Sequence, residues 1–376
     1  MAGTVLLAPD KFKGSMSAPD VAYHLATGIA RVSPSATTLQ LPVADGGDGF
    51  RAAAQAAGYR PVPVSTVGPT GAPVETVYAV SDGVAVVELA EASGLTRLPG
   101  GRLEPLRASS YGTGLVVRAA LEAGCHTVLL GLGGSACTDG GAGLLEALGA
   151  RYTLDDGTPW DRRAGVALSR LGEVDLRGVT SAVQGARIVL ASDVDNPLLG
   201  PSGAAAVYGP QKGADSEQIA LLDHGLARWA DLVERATGAV WRHQPGAGAA
   251  GGVGFGAMAA LDARSQSGID VVLDMVGFDS AIQEVRLVVT GEGALDDQTL
   301  RGKAVAGVAA RARAASVPVL AVAGRCDLTV DALQAAGIVA THVLSDIESD
   351  LQVCLDKPGP LLERIGERIA ATWPSR

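Results

Sequence analysis

An α/β architecture, with a Rossmann-like doubly wound parallel sheet formed by both chain ends and a second α/β domain inserted into it, is what this sequence predicts. Three observations carry the expectation. One unit, an apolar strand followed by a polar glycine-bearing loop and an amphipathic helix, recurs at both ends of the chain. The middle differs in texture, with short alternating runs and one long amphipathic stretch. The length, 376 residues, exceeds what one core ordinarily organises, so two domains are expected. Strands that alternate with helices favour a parallel sheet whose ligand groups collect at the carboxyl ends of the strands.

The first unit opens with "TVLLAPD" as a strand and "KFKGSM" as its loop. Ser17, with Asp20 three residues on, then reads as the capping signal of a helix, and Val21, Leu25 and Ile29 recur every four residues to give it one apolar stripe. "TLQLPV", "ADGGDG" and the alanine-rich "FRAAAQAAG" repeat the unit at once. At the far end "RLVVTGEG" leads through "ALDDQTLRGK" into the helix "AVAGVAARARA", and "VPVLAVAG" and "ATHVLS" read as further buried strands. In the middle, "ETVYAV", "GVAVVELA" and "ASGLTRLPG" alternate like paired strands. Residues 215–237 form a long helix with Asp215 as N-cap and Ile219, Leu222, Leu226, Trp229 and Val233 on one side. The expected division is therefore 1–75 with 285–376 as the Rossmann-like domain and 76–284 as the insert.

Composition narrows the function. Hydrophobic residues make up 47% and charged residues 19%, which suits a globular chain. A formal charge of −10 without a Lys/Arg run argues against a nucleic-acid or anionic-membrane partner. No signal-peptide core or membrane-length apolar run is present, so a cytoplasmic protein is expected, monomeric or homodimeric. Four cysteines without a CxxC pair and five scattered histidines suggest neither a disulfide framework nor a zinc site. Glycine, at 50 residues, is about twice the usual share and has no collagen period.

The densest glycine run, "GLGGSACTDGGAG" at 131–143, lies between the strand "HTVLL" and the helix "LLEALGA". Free backbone N–H groups at such a turn suit an anion, and the helix dipole adds to that field. Gly133, Gly134, Ser135, Gly140 and Gly141 are the candidate contacts, with Thr138 and Asp139 adding a hydroxyl and a carboxylate. A tight turn with Asp139 as a cap is the plainer alternative. "GLGGSA" also fits a dinucleotide fingerprint, G-x-G-x-x-A with Asp155 downstream, but "CTDGGAG" intervenes where the helix should open. A second match, "PGAGAAGG", follows no strand, and the P-loop GxxxxGK[ST] is absent, because Ala304 follows Lys303. "DGGDG" lacks the ligand alternation and terminal Glu of an EF-hand. Carboxylates or lysines beside glycine or at strand ends mark four more loops: Asp10 with Lys11 and Lys13; Asp45 and Asp48; Asp193, Asp195 and Asn196; and Glu292 with Asp296 and Asp297. Each Asp alone suits a cap or turn as well as a catalyst. Four such loops at strand ends point to a shared cleft.

In order, "APDKFKGS", "PVADGGDG", "GLGGSACTDGGAG", "ASDVDNPLLGPSGA", "GPQKGA", "PGAGAAGGVGFGA" and "TGEGALDDQTLRGK" resemble the bacterial glycerate kinase family over nearly the whole chain. The resemblance implies a two-domain α/β fold, ATP and magnesium (Mg2+), and phosphorylation of D-glycerate, usually at the 2-hydroxyl. Glu91 in "ELAEASGL" and Cys137 depart from the expected family pattern. Phosphoryl transfer needs positioning, charge neutralisation and in-line geometry. An Asp should orient or deprotonate the attacking hydroxyl while a lysine or amide nest holds the carboxylate of glycerate. Asp193 is the first candidate base and Asp45 the second, and Lys13 and Lys212 are the charge clamps. Asp10, Asn196 and Ser15 complete the expected substrate contacts. Gly291 and Glu292 join the glycine turn as nucleotide contacts, and Asp48, Asp139 and Asp296 are candidates for Mg2+ or its waters. The alternatives are an NAD-dependent hydroxy-acid dehydrogenase and a non-catalytic anion-binding protein. The site is expected in a cleft between the two domains.

Overall fold

The computed structural model describes residues 4–47, 49–160, 164–300 and 303–373. In chain order its strands are β1 (Thr4–Pro9), β2 (Thr37–Gln40), β3 (Arg60–Val67), β4 (Pro73–Ser81), β5 (Val84–Glu88), β6 (Thr127–Gly131) and β7 (Arg151–Leu154). There follow β8 (Leu171–Asp175), β9 (Arg187–Ala191), β10 (Arg264–Gln266), β11 (Val285–Leu295), β12 (Val319–Cys326) and β13 (Ile338–Val343). The chain divides into two units, one of Met1–Asp45, Ala52–Gly58 and Ser267–Arg376 and one of Gly46–Arg51 and Tyr59–Gln266. The division expected near 75 and 285 thus meets a different set of crossings. β3 pairs antiparallel with β4 from Arg60↔Val80 to Val67↔Pro73, so the first of these strands goes with the second unit.

The first unit holds a five-stranded parallel sheet in the order β13-β12-β11-β1-β2. Helix Ala18–Val32 starts as its sequence dictates: the Ser17 hydroxyl accepts from the Asp20 N–H at 3.3 Å and donates to its carboxylate at 2.5 Å. Val21, Leu25 and Ile29 are buried with Leu362 and Ile365 of helix Pro358–Thr372 in one apolar cluster. Because β2 flanks β1 on one side and β11 on the other, the chain winds away from β1 in both directions. The carboxyl ends of β1 and β11 therefore form a topological switch point, where open α/β sheets bind ligands.

The second unit holds a six-stranded sheet, β10-β9-β6-β5-β4-β3, parallel from β5 through β10 and antiparallel at β4 and β3, with β7 and β8 as a separate antiparallel pair. Asp215 caps helix Ser216–Thr237 through a reciprocal pair with Gln218 at 2.8 and 3.2 Å. Leu222, Leu226, Trp229 and Val233 are fully buried, while Ile219 is half-buried. The strand expected over "ASGLTRLPG" is absent: the helical turn Ala90–Ser93 precedes 3-10 turns at Leu95–Arg97 and Pro99–Gly101. The segment has no ladder partner among the described residues beyond one bridge, Gly94 to Ser135, and local i to i+3 bonds join Arg97 to Gly94, Leu98 to Leu95 and Gly101 to Leu98. Among the described residues no helix is long and apolar enough to cross a membrane.

Candidate active site

At the switch point of the first unit, Asp10 follows the last residue of β1, and the register Pro9↔Gly291 sets it beside Glu292 of β11. The backbone of Leu41 and Val43 continues along β1, hydrogen-bonded to Leu7 O and Pro9 O at 2.8 and 2.9 Å, and so brings Asp45 to the same end. Asp10 is buried, its Oδ1 accepts from the Lys11 N–H at 2.6 Å, and the Lys11 ammonium stands 3.8 Å away. Burial pushes its carboxyl up to about 7; Lys11 opposes the shift, while Asp45 and Glu292 add to it. The carboxyl of Glu292 is also raised, mainly by burial, against the pull of Thr299 and Lys303 and with a push from Asp296 and Asp45. Its Oε1 is buried with no hydrogen-bond partner among the described residues. Three expected carboxylates thus interact electrostatically at one end of one sheet.

Several neighbours have structural duties instead. Asp296 Oδ1 accepts from the amides of Gln298 and Thr299 at 2.8 and 3.2 Å and so caps the turn after β11. Gly291 lies inside β11, where a Cβ would sit 2.1 Å from Val322 O, so close strand packing alone already requires glycine there. The Ser15 hydroxyl donates to Leu355 O and so ties its loop to helix Leu351–Asp356. Lys13 is exposed in the turn between the bridged residues Phe12 and Met16. Asp48 lies outside the described residues.

In the second unit the glycine-rich turn after β6 splits into two parts with different work. Gly134 is exposed and left-handed at φ 69°, a conformation that favours glycine, and among the described residues the N–H groups of Gly133 and Gly134 donate to no protein acceptor. Gly140 and Gly141, expected beside them, are buried. The Gly140 N–H donates to Gly251 O at 3.0 Å, its carbonyl accepts from Trp229 Nε1 at 2.9 Å, and a Cβ would meet Trp229 Cδ1 at 2.4 Å. The Gly141 N–H donates to Asp139 Oδ1 at 3.2 Å. Neither amide is left for a phosphate.

Asp139 itself is fully buried and serves as an internal cap. Its oxygens accept from Ser110 N (2.8 Å), Ser110 Oγ (2.9 Å), Ser109 Oγ (3.3 Å), Gly141 N (3.2 Å) and Gly143 N (3.3 Å). Four of these bonds fall on Oδ2 and one on Oδ1, so the acid is already at work inside the turn, with at most one Oδ1 lone pair open to a cation. Lys212 is likewise not presented to a substrate: only 1% exposed, its ammonium donates to Ser135 Oγ at 3.0 Å and Cys137 O at 2.5 Å. Burial draws this ammonium below its ordinary range, opposed by Cys137 and Asp139.

On the loop after β9, Asp193 is exposed. Asn196 has both ends of its amide engaged, donating to Ser202 O at 2.8 Å and accepting from the Tyr208 hydroxyl at 2.7 Å, so it shapes the loop rather than offering itself to a substrate. Sequence reasoning passed over Glu88. Buried at the carboxyl end of β5, it accepts from the N–H groups of Gly49 and Arg51 at 3.3 and 3.2 Å and caps helix Phe50–Ala56. The only signal was an acid closing an otherwise apolar strand. Glu91, the departure noted above, pairs with Arg51 at 2.9 Å and Arg97 at 2.6 Å, and these partners hold its carboxyl below the usual range against the opposing effect of burial. The buried Thr138 Oγ1 has no partner among the described residues. Among the described residues no three His, Cys, Asp or Glu side chains gather closely enough to hold a metal ion by themselves.

Comparison with known proteins gives this arrangement a lineage. A model of the "Glycerate kinase family" matches residues 5–374. The chain is 40% identical over 371 residues to the "Glycerate kinase" of Bacillus subtilis (strain 168), covering 98% of this chain and 97% of that one. It is 38% identical over 350 residues to the "Glycerate 2-kinase" of Escherichia coli (strain K12), covering 92% and 90%. Its fold superposes with a TM-score of 0.87 on a crystal structure assigned as a glycerate kinase 2 from Salmonella typhimurium LT2, at 37% identity and covering 99% and 98% of the two chains. With the family model spanning nearly the whole chain and relatives of that name aligned almost end to end, this chain belongs to the glycerate kinase family.

Proposed function

We propose that this chain transfers the γ-phosphoryl group of ATP to D-glycerate, favouring the 2-hydroxyl. The family and the relative named "Glycerate 2-kinase" support the substrate and the position. The observation that carries the chemistry is Asp10: a buried carboxyl at a switch point, flanked by two further acids and Lys11, and poised to exchange a proton near pH 7. In the proposed step the glycerate hydroxyl oxygen bonds to the γ-phosphorus, the bond to the ADP oxygen breaks, and the hydroxyl proton passes to a carboxylate. Asp10 takes that role on the strength of its environment, with Asp45 beside it. Asp193 is the competing base, supported by its strand-end loop. Lys13, exposed in the loop after β1, fits a clamp for the carboxylate of glycerate.

The turn at Gly133–Gly134 is proposed to receive the nucleotide's phosphates on its amides, which have no acceptor among the described residues to compete. For Mg2+ the donor set is limited. Asp139 and the Oδ1 of Asp296 are engaged by protein donors, and among the described residues Glu292, whose Oε1 has no partner there, fits best. A cation carried on nucleotide phosphates takes only one or two protein carboxylates, so one open acid suffices, and when bound it neutralises phosphate charge. Coupled detection of ADP release with ATP, Mg2+ and D-glycerate tests the activity, and phosphorus NMR of the product tests the position. Asp10→Asn and Asp193→Asn compared at saturating substrates separate the two bases. A loss of turnover confined to Asp193→Asn would move the base to the β9 loop, and a change in nicotinamide absorbance in place of ADP release would revive the dehydrogenase reading.

A further inference from the structure

The turn after β6 is braced from two sides. On one side the main chain at Ser135 lies antiparallel to Gly94: the Leu95 N–H donates to Gly134 O at 3.0 Å and the Ala136 N–H to Ser93 O at 2.9 Å. The second brace is Lys212, at the end of the 3-10 turn Pro210–Lys212, with Gly213 following at φ 90°. Its two acceptors, Ser135 Oγ and Cys137 O, straddle Ala136, so one ammonium spans the middle of the turn. Both acceptors are uncharged. Asp139 acts on this ammonium only through space, since its own oxygens are given to Ser109, Ser110, Gly141 and Gly143. An ammonium removed from water without a hydrogen-bonded counter-charge opposes folding, and apolar residues would fill the same volume at less cost. Its retention calls for a role beyond packing.

We propose that Lys212 is a positioning residue for the nucleotide's phosphates: it touches no substrate, and by holding Ser135 and Cys137 it fixes the turn whose Gly133 and Gly134 amides receive them. The inference rests on the reading of that turn as the phosphate site. The test is ATP titration calorimetry with steady-state kinetics on the full chain and three variants. Lys212→Met keeps most of the stem and removes the donors; it should weaken ATP binding and raise the ATP KM by roughly ten-fold or more, as for lost hydrogen bonds to a charged group, with the glycerate KM within about two-fold of wild type. Ser135→Ala leaves the charge in place and removes one acceptor, so it should shift the same two quantities in the same direction by a smaller factor. It also serves if Lys212→Met does not fold. A brace moves the ATP KM selectively, whereas a general loss of folded protein lowers apparent kcat and leaves both KM values alone. Gly134→Val separates the two levels of the argument. If it abolishes ATP binding while Lys212→Met and Ser135→Ala bind ATP as the wild type does, the phosphate site stands and the role of Lys212 is overturned. If Gly134→Val binds ATP normally, the phosphate site falls and the role of Lys212 with it. A rise in the glycerate KM alone would make Lys212 a substrate clamp and would equally overturn the proposal.

Discussion

Replacing Asp10 by Asn should convert a pH-sensitive fold into a less sensitive one, and the size of the change follows from the environment of the carboxyl. In the folded chain burial raises Asp10 from 3.8 to about 7. Between those values the folded state keeps a proton that the unfolded chain has released. Its contribution to stability is therefore fully present below pH 4 and is lost as the pH rises through 7. A separation of about three pKa units, at about 1.36 kcal/mol each, gives a total near 4 kcal/mol. Some two-thirds of it, roughly 2.5–3 kcal/mol, falls between pH 5 and pH 8. For a domain of this size that is a drop in Tm of about 5–10 °C. An Asn side chain stays neutral and keeps an oxygen to accept the Lys11 N–H. The assay is thermal unfolding of both proteins at pH 5, 6.5 and 8 without nucleotide or divalent cation. Wild type should fall relative to Asp10→Asn as the pH rises. Parallel curves across the range would refute the reasoning, because they would mean that the carboxyl is ionised in the folded state at ordinary pH.

Three other outcomes are expected. Lys13→Ala should cut turnover strongly while leaving Tm within a few degrees, since an exposed turn lysine contributes little to stability; unchanged kinetics would remove its clamp role. Asp139→Ala should destabilise the second unit by more than about 3 kcal/mol, because it strands buried donors at Ser110, Gly141 and Gly143, and chemical denaturation with tryptophan fluorescence as readout would show it. Gly140→Ala should lower stability by about 2–4 kcal/mol through its contact with Trp229 and its positive φ, and a neutral result in the same assay would show that the helix of Trp229 can yield.

Much of the scaffold was legible because local and tertiary forces agree there. The Ser17 and Asp215 caps, the stripe at Val21, Leu25 and Ile29, and the buried runs of β1, β6, β11 and β12 each satisfy a short-range rule and a packing need together. β3 was missed because "RPVPVSTV" is an edge strand whose two prolines argue against a strand, although Val62, Val64 and Thr66 alternate inward between Pro63 and Ser65. "ASGLTRLPG" misled in the opposite way. Leu95 and Leu98 stand three apart, which puts them on opposite faces of a strand and on one side of a 3-10 turn, and the turn is what forms.

The candidate site was legible in its loops and less so in its atoms, and the glycine-rich turn shows why. A glycine is favoured wherever something must approach the backbone, whether that is a phosphate or another segment of the same chain. Gly134 is exposed, with an amide that has no partner among the described residues and a Cβ position 3.1 Å from Ala90 Cβ, whereas Gly140 and Gly141 face Trp229 and helix Ala249–Leu261. The second glycine run answers the first: a Cβ at Gly251 would meet Cys137 O at 2.0 Å, and one at Gly252 would meet Gly140 Cα at 2.8 Å. Two bare stretches distant in sequence pack on each other, and neither reveals this alone. The same ambiguity governs the acids. Asp139 and Asp10 both follow glycine-bearing or strand-end signals, yet Asp139 is surrounded by donors that satisfy its charge, while Asp10 has one amide, one lysine and two further acids. A carboxylate that already accepts five donors has less to offer a ligand; one held among other acids has a reason to take up a proton or a cation. The partners of each Asp, rather than its motif, decide which of the two it can do.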